Sequence, residues 1–131
     1  MRRLDHVALQ VSDLDAAISF YTEKLKLNLL FKTVDELHHE AFCFLELEGG
    51  NLELLQSLDS QNQPTPFSPP PIRAPYCPHV AIAADDLDGL LAELQEGGVA
   101  VIKGPMEISG KVRWAYVSDP DNNVIEFVQW L

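Results

Sequence analysis

The chain has 131 residues, enough for one domain or two very small halves and too few for a second large domain. Its 47% apolar and 22% charged residues exclude a chain disordered throughout. Nine Lys and Arg against twenty Asp and Glu leave a formal charge of −11, which repels a nucleic-acid backbone or an anionic bilayer and argues against both as partners.

The start, Met1-Arg2-Arg3-Leu4-Asp5, breaks off too early for the apolar core of a signal peptide, and no apolar run reaches the length of a membrane span. A cytoplasmic location is expected. From His6 the chain alternates: Val7, Leu9 and Val11 face one way, His6, Ala8 and Gln10 the other, the period of a half-buried strand. Ser12 and Asp15 then read as an N-cap signal, followed by Leu14, Ala17, Ile18, Tyr21 and Leu25 at helical spacing. No glycine stops this helix, so it must end by another device. Three β-rich runs follow, at residues 27–34, 41–48 and 52–56, with Gly49-Gly50 as the turn between the last two.

Residues 58–76 hold six of the nine prolines and read as a linker, long enough to serve as a lid over a site. The earlier pattern then returns. His79-Val80-Ala81-Ile82-Ala83-Ala84-Asp85-Asp86-Leu87-Asp88 repeats His6 to Asp15 at an offset of 73, with six of ten positions identical. Asp85 and Asp88 give the second cap signal. Leu87, Leu90, Leu91 and Leu94 give the second helix, Gly97-Gly98 ends it, and β-rich runs follow at 99–103, 112–118 and 124–130. At the same offset Glu53 falls on Glu126 and Gln56 on Gln129. The expected architecture is α+β: two tandem βαβββ modules, residues 1–57 and 77–131, joined by the linker within one domain.

The residues that carry chemistry are those the repeat duplicates without need for packing: His6, Glu53, His79 and Glu126. A carboxylate inside an apolar strand must be paired, metal-bound or turned to water, because an isolated buried charge is very costly. Two such carboxylates and two histidines meet that requirement by holding one divalent cation. A structural His–Glu pair with no ion is the competing account of each duplication.

These motifs resemble the vicinal oxygen chelate superfamily, the group of glyoxalase I, methylmalonyl-CoA epimerase, extradiol dioxygenases and the fosfomycin and bleomycin resistance proteins. The resemblance rests on Leu4 to Leu14, on Phe20-Tyr21-Thr22-Glu23-Lys24-Leu25, on Pro78 to Ile82 and on Val117 to Glu126, and it covers the chain outside the linker. It implies a cupped mixed sheet around one metal, with His6, Glu53, His79 and Glu126 as ligands in the four-ligand manner of glyoxalase I. It further implies a lyase or isomerase acting on an α-oxo thiohemiacetal or a similar small adduct through an enediolate. Glu126 would be the principal base and Glu53 would serve the other face. Nickel, cobalt, zinc and manganese all suit such a set, while iron would indicate a dioxygenase. A homodimer is also implied, with modules paired within or between chains. An epimerase, a dioxygenase or a non-catalytic small-molecule binder is the alternative within the same superfamily.

One position departs from the glyoxalase I pattern. The arginine that commonly follows the first ligand His by four residues, and helps hold glutathione, is here Gln10. Lys111 and Arg113, with Lys103 and Arg73, are the basic candidates for an anionic substrate, and solvated surface is their simpler account. Phe42, Phe44, Trp114 and Tyr116 are candidates to line an apolar pocket or, more simply, to fill core or interface. His38-His39 are expected to be exposed, and Cys43 and Cys77 to have no role.

Overall fold

The computed structural model describes all 131 residues and divides into two compact units, residues 1–69 and 70–131. The first contains β1 (His6–Gln10), α1 (Leu14–Ser19), β2 (Asn28–Asp35), β3 (Glu40–Glu46) and β4 (Asn51–Ser57). The second contains β5 (His79–Ala83), α2 (Leu87–Glu96), β6 (Val101–Ile108), β7 (Val112–Ser118) and β8 (Val124–Trp130). Each is a βαβββ module with a four-stranded mixed sheet, in the orders β1-β4-β3-β2 and β5-β8-β7-β6. The first and fourth strands run parallel and the remaining pairs antiparallel. No helix is long and apolar enough to cross a membrane.

Each sheet buries one face beneath its helix. In the first unit Cys43, Leu45, Leu52 and Leu54 are almost wholly buried with Leu14, Ala17 and Tyr21 from the helical segment. In the second, Ala115, Val117, Ile125 and Phe127 are buried with Leu87, Leu91 and Leu94. Full burial of each such aliphatic side chain contributes about 1.5–3 kcal/mol, so this face is what holds helix to sheet. By alternation the next residues along β3, β4, β7 and β8 occupy the opposite face, and there the His and Glu residues stand.

The helix starts show how duplicated sequence becomes duplicated structure. The caps lie one residue later than the motif suggested: Asp13 accepts from the Ala16 N–H and Asp86 from the Gly89 N–H. A second acceptor comes from the sheet. Gln56 Oε1 takes the Leu14 N–H at 2.8 Å and Gln129 Oε1 takes the Leu87 N–H at 2.9 Å, so the repeated glutamine ties the fourth strand to the start of the helix. The first helix, lacking a stopping glycine, passes into a π-helical turn at Phe20–Lys24 and leaves it through Lys26 at φ 61°.

β6 runs on to Ile108, beyond the expected end at Lys103. Gly104 explains the continuation. At φ +105° a Cβ there would lie 2.9 Å from the Trp114 carbonyl oxygen, so only glycine lets the strand stay against β7 through the register shift between Lys103 and Met106. The proline-rich segment divides between the two units. Leu58 bridges Pro64 across a turn in which Asp59 Oδ1 accepts from Gln61 and Gln63, while the Asn122 amide donates to the Pro70 carbonyl at 3.1 Å.

Candidate functional site

In each unit the parallel pairing of first and fourth strands brings a histidine beside a glutamate. His6 opens β1, and Glu53 lies in β4 opposite Ala8. His79 opens β5, and Glu126 lies in β8 opposite Ala81. The resulting contacts are His6 Nε2 to Glu53 Oε1 at 3.6 Å and His79 Nε2 to Glu126 Oε1 at 3.3 Å. The glutamates are largely shielded, with 12% and 15% of their side chains exposed.

The far nitrogen of each ring is also engaged. His79 Nδ1 lies 2.9 Å from the Tyr76 carbonyl oxygen, and His6 Nδ1 lies 2.6 Å from Asp5 Oδ1. A carbonyl or carboxylate oxygen only accepts, so Nδ1 carries the proton in both rings. A neutral ring therefore turns the lone pair of Nε2 toward a carboxylate oxygen. Two acceptors facing each other repel unless a cation, a proton or a metal ion, sits with them. An Nδ1–H held by an oxygen with Nε2 left to ligate is the arrangement usual for metal-binding histidine, and imidazole with carboxylate suits a borderline divalent ion. The donor chemistry of both pairs thus fits a metal. Each unit supplies two donors, and no group of three or more His, Cys, Asp or Glu is placed to hold a metal ion.

Aromatic rings surround each pair. The Phe44 ring meets the His6 ring edge-on at 5.1 Å and stacks on Phe31 at 5.3 Å, with Phe42 close by. The Tyr116 ring lies 5.4 Å from His79 and 4.8 Å from Tyr76. Phe44 is the cross-strand partner of Glu53, and Tyr116 of Glu126, so the two aromatics occupy the same place in their modules. Burial first, then the charge of Glu126, pushes the Tyr116 phenol above the ordinary tyrosine range.

The constant offset of 73 hides this equivalence. The turn between second and third strands has four residues in the first module, 36–39, and three in the second, 109–111. The turn between third and fourth strands has four, 47–50, and then five, 119–123. The two differences cancel, so His and Glu keep their offset while the third strand is displaced by one and Tyr116 aligns with Cys43 instead of Phe44. Only the paired loop lengths could have revealed it in the sequence.

The other candidates lie elsewhere. Gln10 stands on β1 at the His6 parity. Arg113 takes the opposite parity from Tyr116, where its guanidinium meets Asp88 of α2 at 2.8 Å and Glu107 at 3.2 Å; that hydrogen bond holds the Asp88 carboxyl below its ordinary range. The structure therefore does not bring Arg113 to the face of Glu126. Lys111 sits in the β6–β7 turn, its carbonyl accepting from the Leu131 N–H. His38 is exposed and bonded to Asp35, while His39 is half-buried with its ring on Asn62. Cys43 is buried, and Cys77 is exposed with its sulfur 3.9 Å from His79 Nδ1.

Known proteins share both the sequence and the architecture. Lactoylglutathione lyase of Haemophilus influenzae is 29% identical over 132 residues, spanning 95% of this chain and 90% of that protein. Virulence protein STM3117 of Salmonella typhimurium is 29% identical over 133 residues, spanning 98% and 85%. The antibiotic binding protein TnmS3 of Streptomyces sp. CB03234 superposes with a TM-score of 0.74 at 27% identity, covering 100% of this chain and 98% of that one. Tandem βαβββ modules agree with a family model that matches residues 3–127, and the chain belongs to the Glyoxalase/Bleomycin resistance protein/Dioxygenase superfamily.

Proposed function

We propose that the protein is a metal-dependent lyase or isomerase of glyoxalase I type. The observation that carries this reading is the duplicated His–Glu pair, each histidine with Nδ1 bound to an oxygen and Nε2 turned to a carboxylate. Joined in one site, within a chain or across a homodimer, His6, Glu53, His79 and Glu126 form a four-ligand set. Nickel, cobalt, zinc or manganese would suit these imidazole and carboxylate donors. A divalent ion so held supplies Lewis acidity to a substrate carbonyl.

The residues of the chain handle the proton. On an α-oxo thiohemiacetal, Glu126 takes the hydrogen from the carbon that bears sulfur, the electron pair passes into an enediolate, and the neighbouring carbon is reprotonated, with Glu53 serving that face. The product is the isomeric α-hydroxy thioester, so no oxidant enters the balance. The similarity to a lactoylglutathione lyase supports this substrate class. Gln10, where an arginine that helps hold glutathione commonly lies, weakens the case for glutathione itself as the thiol.

The test is Glu126→Gln, which keeps the shape and removes the base. Thiohemiacetal isomerisation is expected to fall by about 10²-fold or more. Elemental analysis after reloading should still find metal, at reduced affinity. Full activity in that variant sinks the assignment of the base, and a wild-type protein that takes up no divalent metal sinks the enzyme reading. A small-molecule binder is the second reading, favoured by the exposed Phe31 ring beside Phe42 and Phe44 and by the similarity to TnmS3. It leaves the two carboxylates without a task.

A further inference from the structure

The second histidine is held by the end of the proline-rich segment, and the first is not. Residues 73–76 close a turn in which the Tyr76 N–H donates to the Arg73 carbonyl at 2.8 Å. The Tyr76 carbonyl then accepts from His79 Nδ1 at 2.9 Å. Tyr76 makes that bond from a left-handed backbone, φ 61°, a conformation that is costly for a residue with a bulky side chain and persists where its surroundings hold it. The hold comes from the ring, which lies on the Tyr116 ring with centroids 4.8 Å apart and planes at 30°. Tyr116, buried in β7, also meets the His79 ring at 5.4 Å, so Tyr76 and His79 pack against one fixed aromatic. Cys77, whose sulfur stands 3.9 Å from the same His79 nitrogen, is a weak acceptor and offers no comparable hold. In the first module His6 Nδ1 rests instead on Asp5, its own neighbour, whose side chain is 89% exposed.

We propose that Tyr76 is a positioning residue for His79: its ring, seated on Tyr116, places the carbonyl that keeps the proton on Nδ1 and turns a bare Nε2 toward Glu126. The proline-rich segment thereby contributes to the site through its last turn, and the conformation of that turn sets which ring nitrogen can bind a metal ion. His6 is oriented by its own neighbour and has no such tie. The proposal rests on the reading of His79 as a metal ligand. Loss of the group that orients a ligating histidine commonly costs 10–100-fold in metal affinity.

The experiment compares Tyr76→Phe and Tyr76→Ala with wild type, by the ring ¹⁵N resonances of the histidines in metal-free protein, in alkaline buffer where imidazole is neutral, and by cobalt(II) titration. The His79 signals are assigned by their loss in His79→Gln. In wild type and in Tyr76→Phe, which keeps the stacking ring, His79 is expected in the Nδ1–H form. Tyr76→Ala is expected to shift it toward the Nε2–H form, the one a free histidine side chain prefers, and to weaken cobalt(II) binding about 10-fold or more, while the His6 resonances stay in place. Wild-type His79 resonances in Tyr76→Ala, cobalt(II) affinity within twofold of wild type, or a Tyr76→Phe altered as much as Tyr76→Ala overturns the proposal. Should Tyr76→Ala lose the fold, Tyr76→Leu, which keeps bulk without a stacking ring, takes its place with the same expectations. Should wild type take up no cobalt(II), the metal-enzyme reading fails by itself, and the ring resonances still decide whether Tyr76 sets the tautomer of His79.

Discussion

Cys43 and Cys77 show how little residue type says without its place. Cys43 lies in β3 among Leu45, Leu52 and Leu54, and burial pushes its thiol above the ordinary range, which suppresses the reactive thiolate. Cys77 is exposed. Iodoacetamide on the native protein should therefore add one carbamidomethyl group, at Cys77, and a second only after denaturation; mass spectrometry of tryptic peptides checks both sites. Two groups on the native chain would mean that β3 opens readily. Tyr116 teaches the same lesson for the site. Its spacing along β7 marked it as an aromatic of one sheet face, but the partner that gives it meaning, Glu126, lies across the strand, and its counterpart Phe44 is found by pairing and not by offset.

At the level of elements most of the architecture was legible. Alternation located the strands, and the repeat located the modules, because period-2 and period-3.6 patterns follow from which face each element buries. The ends were harder to read. Gly104-Pro105 looks like the end of a strand and is instead a bulge on an edge strand, tolerated because nothing pairs with the outer side of β6. The caps were misplaced by one residue because Ser12 and Asp13 are both good capping residues, and only geometry chooses. Gln56 and Gln129 gave no local signal at all, since their partners lie 42 residues back in the chain. Gln129→Ala should leave the Leu87 N–H without this acceptor and cost about 1 kcal/mol, read as a lowered urea midpoint with unchanged slope. A midpoint equal to wild type would show that Asp86 alone suffices to start α2.

For the whole molecule, the arrangement places chemistry and stability on opposite sides of the same sheets. The face beneath the helices holds the apolar core, and the other carries His6, Glu53, His79 and Glu126 among aromatic rings. The sequence exposed this division because the repeat preserves both sets, the apolar positions of the core and the two His–Glu pairs. It could not expose the turn lengths that cancel. The parallel pairing of first and fourth strands has a further consequence, in the order of folding. The second, third and fourth strands of each module are neighbours in sequence, joined by turns of three to five residues that close at small entropic cost. Joining β1 to β4, or β5 to β8, closes a loop of more than forty residues, so these contacts are the least local in each module and should form last. Pulse-labelled hydrogen exchange during refolding should find amides of β3 and β7 protected before those of β1 and β5. His6 meets Glu53, and His79 meets Glu126, only across those late pairings, so each pair of side chains is assembled only once the module around it is complete.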